Sequence, residues 1–140
     1  VTIVGDPECF ARYGQVISDI FAGCGPLAGI HAALKHSSAE VNLMLAVDMP
    51  FVSSDLLKFL LEAATYTTAI VTVPRSSRGL QPLCAIYRRA FAPVAEQAIS
   101  AGRYKIDATF AEVPIHVVDE KELAAAQAMQ QKRAMKTASR

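Results

Sequence analysis

Val41-Asn42-Leu43-Met44-Leu45-Ala46-Val47-Asp48-Met49-Pro50 is an almost wholly apolar run that ends in a carboxylate and is closed by proline. An apolar run of this length suits a strand buried on both faces of a parallel sheet, where neither side meets water. Asn42 is its only polar member before Asp48. Pro50 lacks the amide proton that a ladder requires, so the strand ends before it and leaves Asp48 at the carboxyl edge of the sheet. Ligands of open α/β sheets bind at that edge. Asp-x-Pro also starts turns for purely local reasons, so the flanking sequence must decide between a ligand-bearing carboxylate and a turn.

Upstream, residues 1–4 are β-branched throughout and run into Gly5-Asp6-Pro7, a strand followed by a turn. Residues 15–19 give a second short strand that also ends in a carboxylate, Asp19. The segment Gly23-Cys24-Gly25-Pro26-Leu27-Ala28-Gly29 follows. Pro26 suits the first turn of a helix, where its missing amide proton costs nothing, and Leu27, Ile30 and Leu34 recur on one face through Lys35. Downstream, Ser53 or Ser54 caps a helix whose apolar face is Leu56, Leu57, Leu60 and Leu61. Residues 68–73 form a strand closed by Pro74, Arg75-Ser76-Ser77-Arg78-Gly79 a basic loop, and residues 83–87 a further strand. Pro93 sits early in a helix that Gly102 terminates, residues 106–110 add a helical turn, and residues 114–118 are the last strand. Strands alternating with helices of this length specify a three-layer α/β fold with a mostly parallel sheet and right-handed crossovers.

The 140 residues amount to one domain. Fourteen Lys and Arg against 13 Asp and Glu leave no field strong enough to draw a nucleic acid or an anionic membrane. Three scattered cysteines, with no Cys-x-x-Cys pair, are expected to be buried thiols of a cytoplasmic protein. His31, His36 and His116 are too dispersed for a zinc cluster. No apolar stretch reaches the roughly 20 residues of a membrane span, and no signal-peptide pattern opens the chain. The opening strand and a basic, Ala- and Gln-rich stretch at 124–140 suggest a chain cut or altered at both ends, the latter a weakly packed helical tail.

Asp19 and Asp48 each follow a short strand, so neighbouring strands would bring both carboxylates to one crevice. Hard oxygen ligands without histidine or thiol suit Mg²⁺ shared with substrate phosphates. The Gly25-Pro26 turn offers close backbone approach and helix amides to an anion, a ribose or a base edge, or it is simply a tight turn. Arg75, Arg78, Arg88, Arg89, Arg103 and Lys105 are either holders of a second substrate's phosphate or a solvated basic rim.

In order, Gly25-Pro26-Leu27-Ala28-Gly29-Ile30, Leu45-Ala46-Val47-Asp48-Met49-Pro50-Phe51 and Gln81-Pro82-Leu83-Cys84-Ala85-Ile86-Tyr87 resemble the molybdenum cofactor guanylyltransferase family of MobA-like nucleotidyltransferases. The resemblance covers residues 1 to about 118 and implies a Rossmann-like α/β sandwich. It also implies transfer of GMP from GTP to the terminal phosphate of molybdenum-bound molybdopterin, with release of pyrophosphate. By the same resemblance Asp48 is the Mg²⁺ ligand and catalytic residue, and it also approaches GTP. Asp19, Gly25 and Pro26 match nucleotide contacts, and Gly5 stands where some members carry asparagine and so offers only its backbone. Gly102, Lys105 and Asp107 fall in the region bordering the pterin. An accessory GTP-binding protein of the pathway is a further implied partner.

The chain departs from the family pattern in two places. A Leu-Ala-Gly-Gly loop with the arginine and lysine that grip the triphosphate, and an Asn-x-Asn-Thr-Pro segment, are not found in it. The fold is therefore expected to be incomplete at its amino end, with a gap in the sheet and exposed apolar edges. Two other readings stay open: a related transferase using CTP or a sugar phosphate, and a degenerate noncatalytic module that binds a nucleotide or a partner.

Overall fold

The computed structural model describes residues 2–4, 15–17, 25–46, 54–119, 121–122 and 125. Two short strands, β1 (Thr2–Val4) and β2 (Gln15–Ile17), pair in parallel. Helix α1 (Pro26–His36) leads into β3 (Val41–Leu45), and α2 (Ser54–Thr65) into β4 (Val71–Ser76). The two-residue strand β5 (Gly79–Leu80) folds back on β4. Strand β6 (Cys84–Arg88), α3 (Phe91–Ser100), α4 (Ile106–Thr109) and β7 (Ile115–Asp119) complete the order.

The larger sheet runs β3-β6-β4-β7, with β5 extending the β6 side of β4. β6 is antiparallel to both β3 and β4, and β7 is parallel to β4. Hence β3, β4 and β7 share one direction and β6 is the single reversed long strand. The reversal has a local cause: the hairpin through β5 returns the chain beside β4, whereas the strands that share a direction are reached through helices. The expected α/β architecture is observed: three of the four long strands of this sheet share one direction, and β6 makes the sheet a mixed one.

Alternation along β6 assigns the two faces of the sheet. Ala85 and Tyr87 join a core with Leu27, Ile30 and Leu34 of α1 and Phe91, Ala95 and Ile99 of α3. Cys84 and Ile86 point the other way, toward Leu60 and Ala64 of α2. Helices thus cover both faces, giving three layers. Strand β3 departs from the expectation of complete burial. Its residues are half-buried and Leu45 is 47% exposed. Among the described residues β3 ends its ladder, β1 and β2 form a separate one, and a cavity of about 440 Å³ borders Val41 to Met44.

Several sequence boundaries shift for identifiable reasons. Pro74, expected to close β4, lies inside it, opposite Val118 of β7. Its missing amide proton is tolerated because the β6 ladder stops at Thr72, and its carbonyl accepts from Gln81 N at 2.9 Å. Leu61, assigned to the apolar face of α2, is 42% exposed because four leucines at 56, 57, 60 and 61 span a stripe wider than the contact. Gly102 ends α3 as expected: φ is +78°, Arg103 N donates to Ala98 O at 2.8 Å and Gly102 N to Ile99 O at 3.0 Å.

Arg88 holds the end of α2. Its Nη2 donates to Ala64 O (2.9 Å) and Thr67 O (3.1 Å), and its Nε to Ala69 O (3.2 Å). These carbonyls leave the helix and enter β4, and only a planar fork reaches all three. Arg88→Ala is expected to lower stability by about 2–3 kcal/mol, because charge-assisted bonds are lost and part-buried carbonyls orphaned. Urea unfolding checks this, and a loss below about 0.5 kcal/mol would contradict it.

Candidate functional site

The carboxyl ends of β3, β4 and β7 define one edge of the larger sheet. Asn42, the lone polar residue of the opening decapeptide, fixes the opposite end. Its Oδ1 accepts from Ser37 Oγ at 2.6 Å and its Nδ2 donates to Ala39 O at 3.0 Å, tying the end of α1 to the start of β3. Eleven helical residues and five strand residues each span about 16 Å. The start of α1, Gly25-Pro26, therefore lies level with the end of β3.

Gly25 has φ 78° and ψ −165°, a region that only glycine enters readily, and both Gly25 and Pro26 are exposed. Pro26 occupies the first helical turn as its fixed φ dictates, and no acidic residue sits in that turn. The amide end of α1 thus faces the edge with its partial positive charge unneutralised by its own side chains. A Cβ on Gly25 would meet nothing within 4 Å, so Gly25→Ala isolates backbone strain. Its expected cost is about 1–3 kcal/mol. Thermal unfolding checks it, and an unchanged midpoint would contradict the assignment.

Ala46 N donates to Leu83 O at 2.9 Å, so Leu83, just before β6, lies against Ala46, just after β3. Gln81 N donates to Pro74 O, and Gln81 Nε2 to Ser76 Oγ at 3.0 Å. Ser76 Oγ also accepts from Arg78 N at 3.1 Å. Tyr87, fully buried beside Phe91 and Phe110, donates its hydroxyl to Pro82 O at 2.6 Å. The Gln81-Pro82 motif is therefore locked to the sheet from both sides.

Burial, with the charge of Asp107 adding to it, pushes the Tyr87 phenol far above its ordinary range. An unfolded tyrosine ionises near pH 10 while the folded one keeps its proton, so above that pH the unfolded state binds fewer protons. Stability is expected to fall as pH rises past about 10, and Tyr87→Phe should flatten that fall in a denaturation series. An identical alkaline slope in the variant would contradict this.

Of the residues singled out from sequence, Gly25 and Pro26 are brought to the carboxyl edge. Asp48, Asp19 and Gly5 lie outside the described residues, as does the 126–140 part of the tail. In the sequence Asp48 follows the last residue of β3 by three positions, and Asp19 follows the last residue of β2 by two. Sequence reasoning did not identify Asp119, which ends β7 on the same edge and accepts from Glu122 N at 2.9 Å, capping the turn that follows. Its spacing of three residues to Glu122 was the available signal. Nor did it place His31, 1% exposed, with Nε2 3.8 Å from Glu96 Oε2 between α1 and α3. A second cavity of about 470 Å³, bordered by Lys35, Glu40 and Arg89, sits at the opposite end of the sheet. No helix among the described residues is long and apolar enough to cross a membrane.

Comparison with known proteins bears on the family of the chain. The MobA-like NTP transferase domain family matches residues 1–120. The probable molybdenum cofactor guanylyltransferase of Clostridium perfringens is 32% identical over 121 residues, 86% of this chain and 60% of the relative. That of Flavobacterium johnsoniae is 37% identical over 108 residues, 77% of this chain and 56% of the relative. The chain thus spans about 60% of the length of these curated relatives. Molybdopterin-guanine dinucleotide biosynthesis protein A of Archaeoglobus fulgidus has a similar structure, with TM-score 0.75 and 25% identity, over 94% of this chain and 78% of that one. The shared fold, the ordered motifs and the extent of these matches establish that the chain belongs to the MobA-like NTP transferase domain family.

Proposed function

We propose that the protein transfers GMP from GTP to the terminal phosphate of molybdenum-bound molybdopterin, forming the guanine dinucleotide cofactor and releasing pyrophosphate. The observation that carries this reading is the membership of residues 1–120 in the nucleotidyltransferase family together with relatives named for guanylyl transfer. Gly25 and Pro26 would meet the nucleotide where the amide end of α1 opens onto the carboxyl edge. Asp19 and the backbone of Gly5 would complete the nucleotide contacts.

The side chains that end β4 and β7, Ser76 and Asp119, offer oxygen, while the Cys84 thiol is turned into the core. No group of three or more His, Cys, Asp or Glu able to hold a metal occurs among the described residues. This donor chemistry fits Mg²⁺, which needs only one or two carboxylates when substrate phosphates and water complete its shell. Asp48 would hold it. When bound, Mg²⁺ neutralises the charge that builds on the phosphate oxygens as pyrophosphate leaves. The chain's own part is positioning: it aligns an oxygen of the pterin phosphate with the α-phosphorus, so that the new P–O bond forms opposite the one that breaks.

The test is transfer from α-labelled GTP to molybdopterin. Labelled dinucleotide and stoichiometric pyrophosphate are expected, with CTP a poor donor. Equal use of CTP, or label passing to a sugar phosphate instead, would replace this reading with the related transferases.

A further inference from the structure

The stretch Arg75-Ser76-Ser77-Arg78-Gly79-Leu80-Gln81-Pro82 carries two cations and no acid, and it forms the turn from β4 through β5 toward β6. It rises from the carboxyl end of β4, the edge where the candidate nucleotide groups also lie. Both arginines are exposed. Neither forms an ion pair among the described residues, although Asp119 stands opposite Arg75 in the ladder with its Oδ1 accepting from Glu122 N.

Other arginines differ in this respect. Arg88 is engaged with three carbonyls and lies near Glu40, and Arg103 bonds Glu112. Arg89 also has no ion pair among the described residues, but it borders the cavity at the far end of the sheet. The two arginines of the hairpin are thus the unpaired guanidinium groups on the described part of the edge that matters.

The hairpin is also held more firmly than a solvated rim requires. Ser76 Oγ accepts from both Gln81 Nε2 and Arg78 N, Gln81 N donates to Pro74 O, and Tyr87 anchors Pro82 from the core. A turn fixed in this way presents its two cations with less freedom to lose when an anion arrives. Position then selects which anion. Strand β6 separates β4 from β3, so the hairpin stands about 10 Å across the sheet from the elements assigned to the nucleotide. That offset suits the second substrate.

We propose that Arg75 and Arg78 receive the terminal phosphomonoester of the acceptor. Two guanidinium forks match a phosphate dianion in charge and in planar donor geometry. The assignment rests on the function proposed above, and binding measurements separate the two.

Calorimetric titration of molybdopterin, kept anaerobic, and of Mg·GTP would be run on the wild type and on the Arg75→Gln/Arg78→Gln double variant. The double variant is expected to weaken molybdopterin binding by about tenfold or more, from the loss of charge-assisted bonds, and to change GTP binding by less than about twofold. Arg78→Lys should recover part of the loss, and Arg89→Gln should change neither affinity. Unchanged molybdopterin affinity in the double variant overturns the inference while leaving the proposed transfer intact. A loss confined to GTP also overturns it, because the hairpin would then serve the nucleotide. A wild type that binds neither ligand overturns both.

Discussion

Asp48→Asn is expected to lower the proposed guanylyl transfer by about 10²–10³-fold or more with the fold unchanged, the largest functional effect of any single substitution here. The substitution keeps size and hydrogen-bonding capacity and removes the charge on which a hard divalent cation depends. Strand β3 itself is secured independently of Asp48: it pairs with β6 from Val41 to Leu45, and Asn42 fastens its amino end. Far-UV circular dichroism and urea midpoints should therefore match the wild type while turnover disappears. Retention of ordinary Mg²⁺-dependent transfer would remove Asp48 from the site. A parallel loss of fold would instead show that its role is structural.

The largest effect on stability is expected from Phe91→Ala. Phe91 is fully buried at the start of α3, with its ring 5.0 Å from that of Tyr87 and 6.5 Å from that of Phe110. It closes the core between α1, α3 and the sheet. Its truncation should cost about 3–5 kcal/mol, transfer and cavity terms together. Against a total stability on the order of 5–15 kcal/mol, the variant approaches unfolding under ordinary conditions. Chemical denaturation checks this, and a loss below about 1 kcal/mol would mean that the aromatic cluster collapses around the gap.

Local chemistry made much of the architecture legible from sequence. Pro26 after Gly25, the β-branched run near Val71 and Val73, and Gly102 after α3 each impose a backbone preference that tertiary packing did not override. The reversed strand β6 was placed but its direction was not foreseen, because direction depends on the hairpin through Gly79 and Leu80 rather than on hydrophobic pattern. Burial of β3 was overestimated for a related reason. An apolar run records what a strand can tolerate, whereas its neighbours decide what it meets, and β3 has a strand on one side only among the described residues.

At the candidate site, glycine and proline geometry was legible because it is local. The Arg88 fork on Ala64, Thr67 and Ala69, the Tyr87 bond to Pro82 and the Ser76–Gln81 pairing were not. Of these, the Arg88 contacts join elements 19 to 24 residues apart, whose approach only the folded sheet determines. The unpaired state of Arg75 and Arg78 was invisible for the same reason: sequence counts charges and does not assign their partners.

The most direct test of the central claim, a carboxyl-edge site for a metal-bound guanine nucleotide, is calorimetric titration of GTP with and without Mg²⁺, with CTP as comparison. Saturable binding that requires Mg²⁺ and favours GTP is the expected result. Absence of saturation under either condition would contradict it.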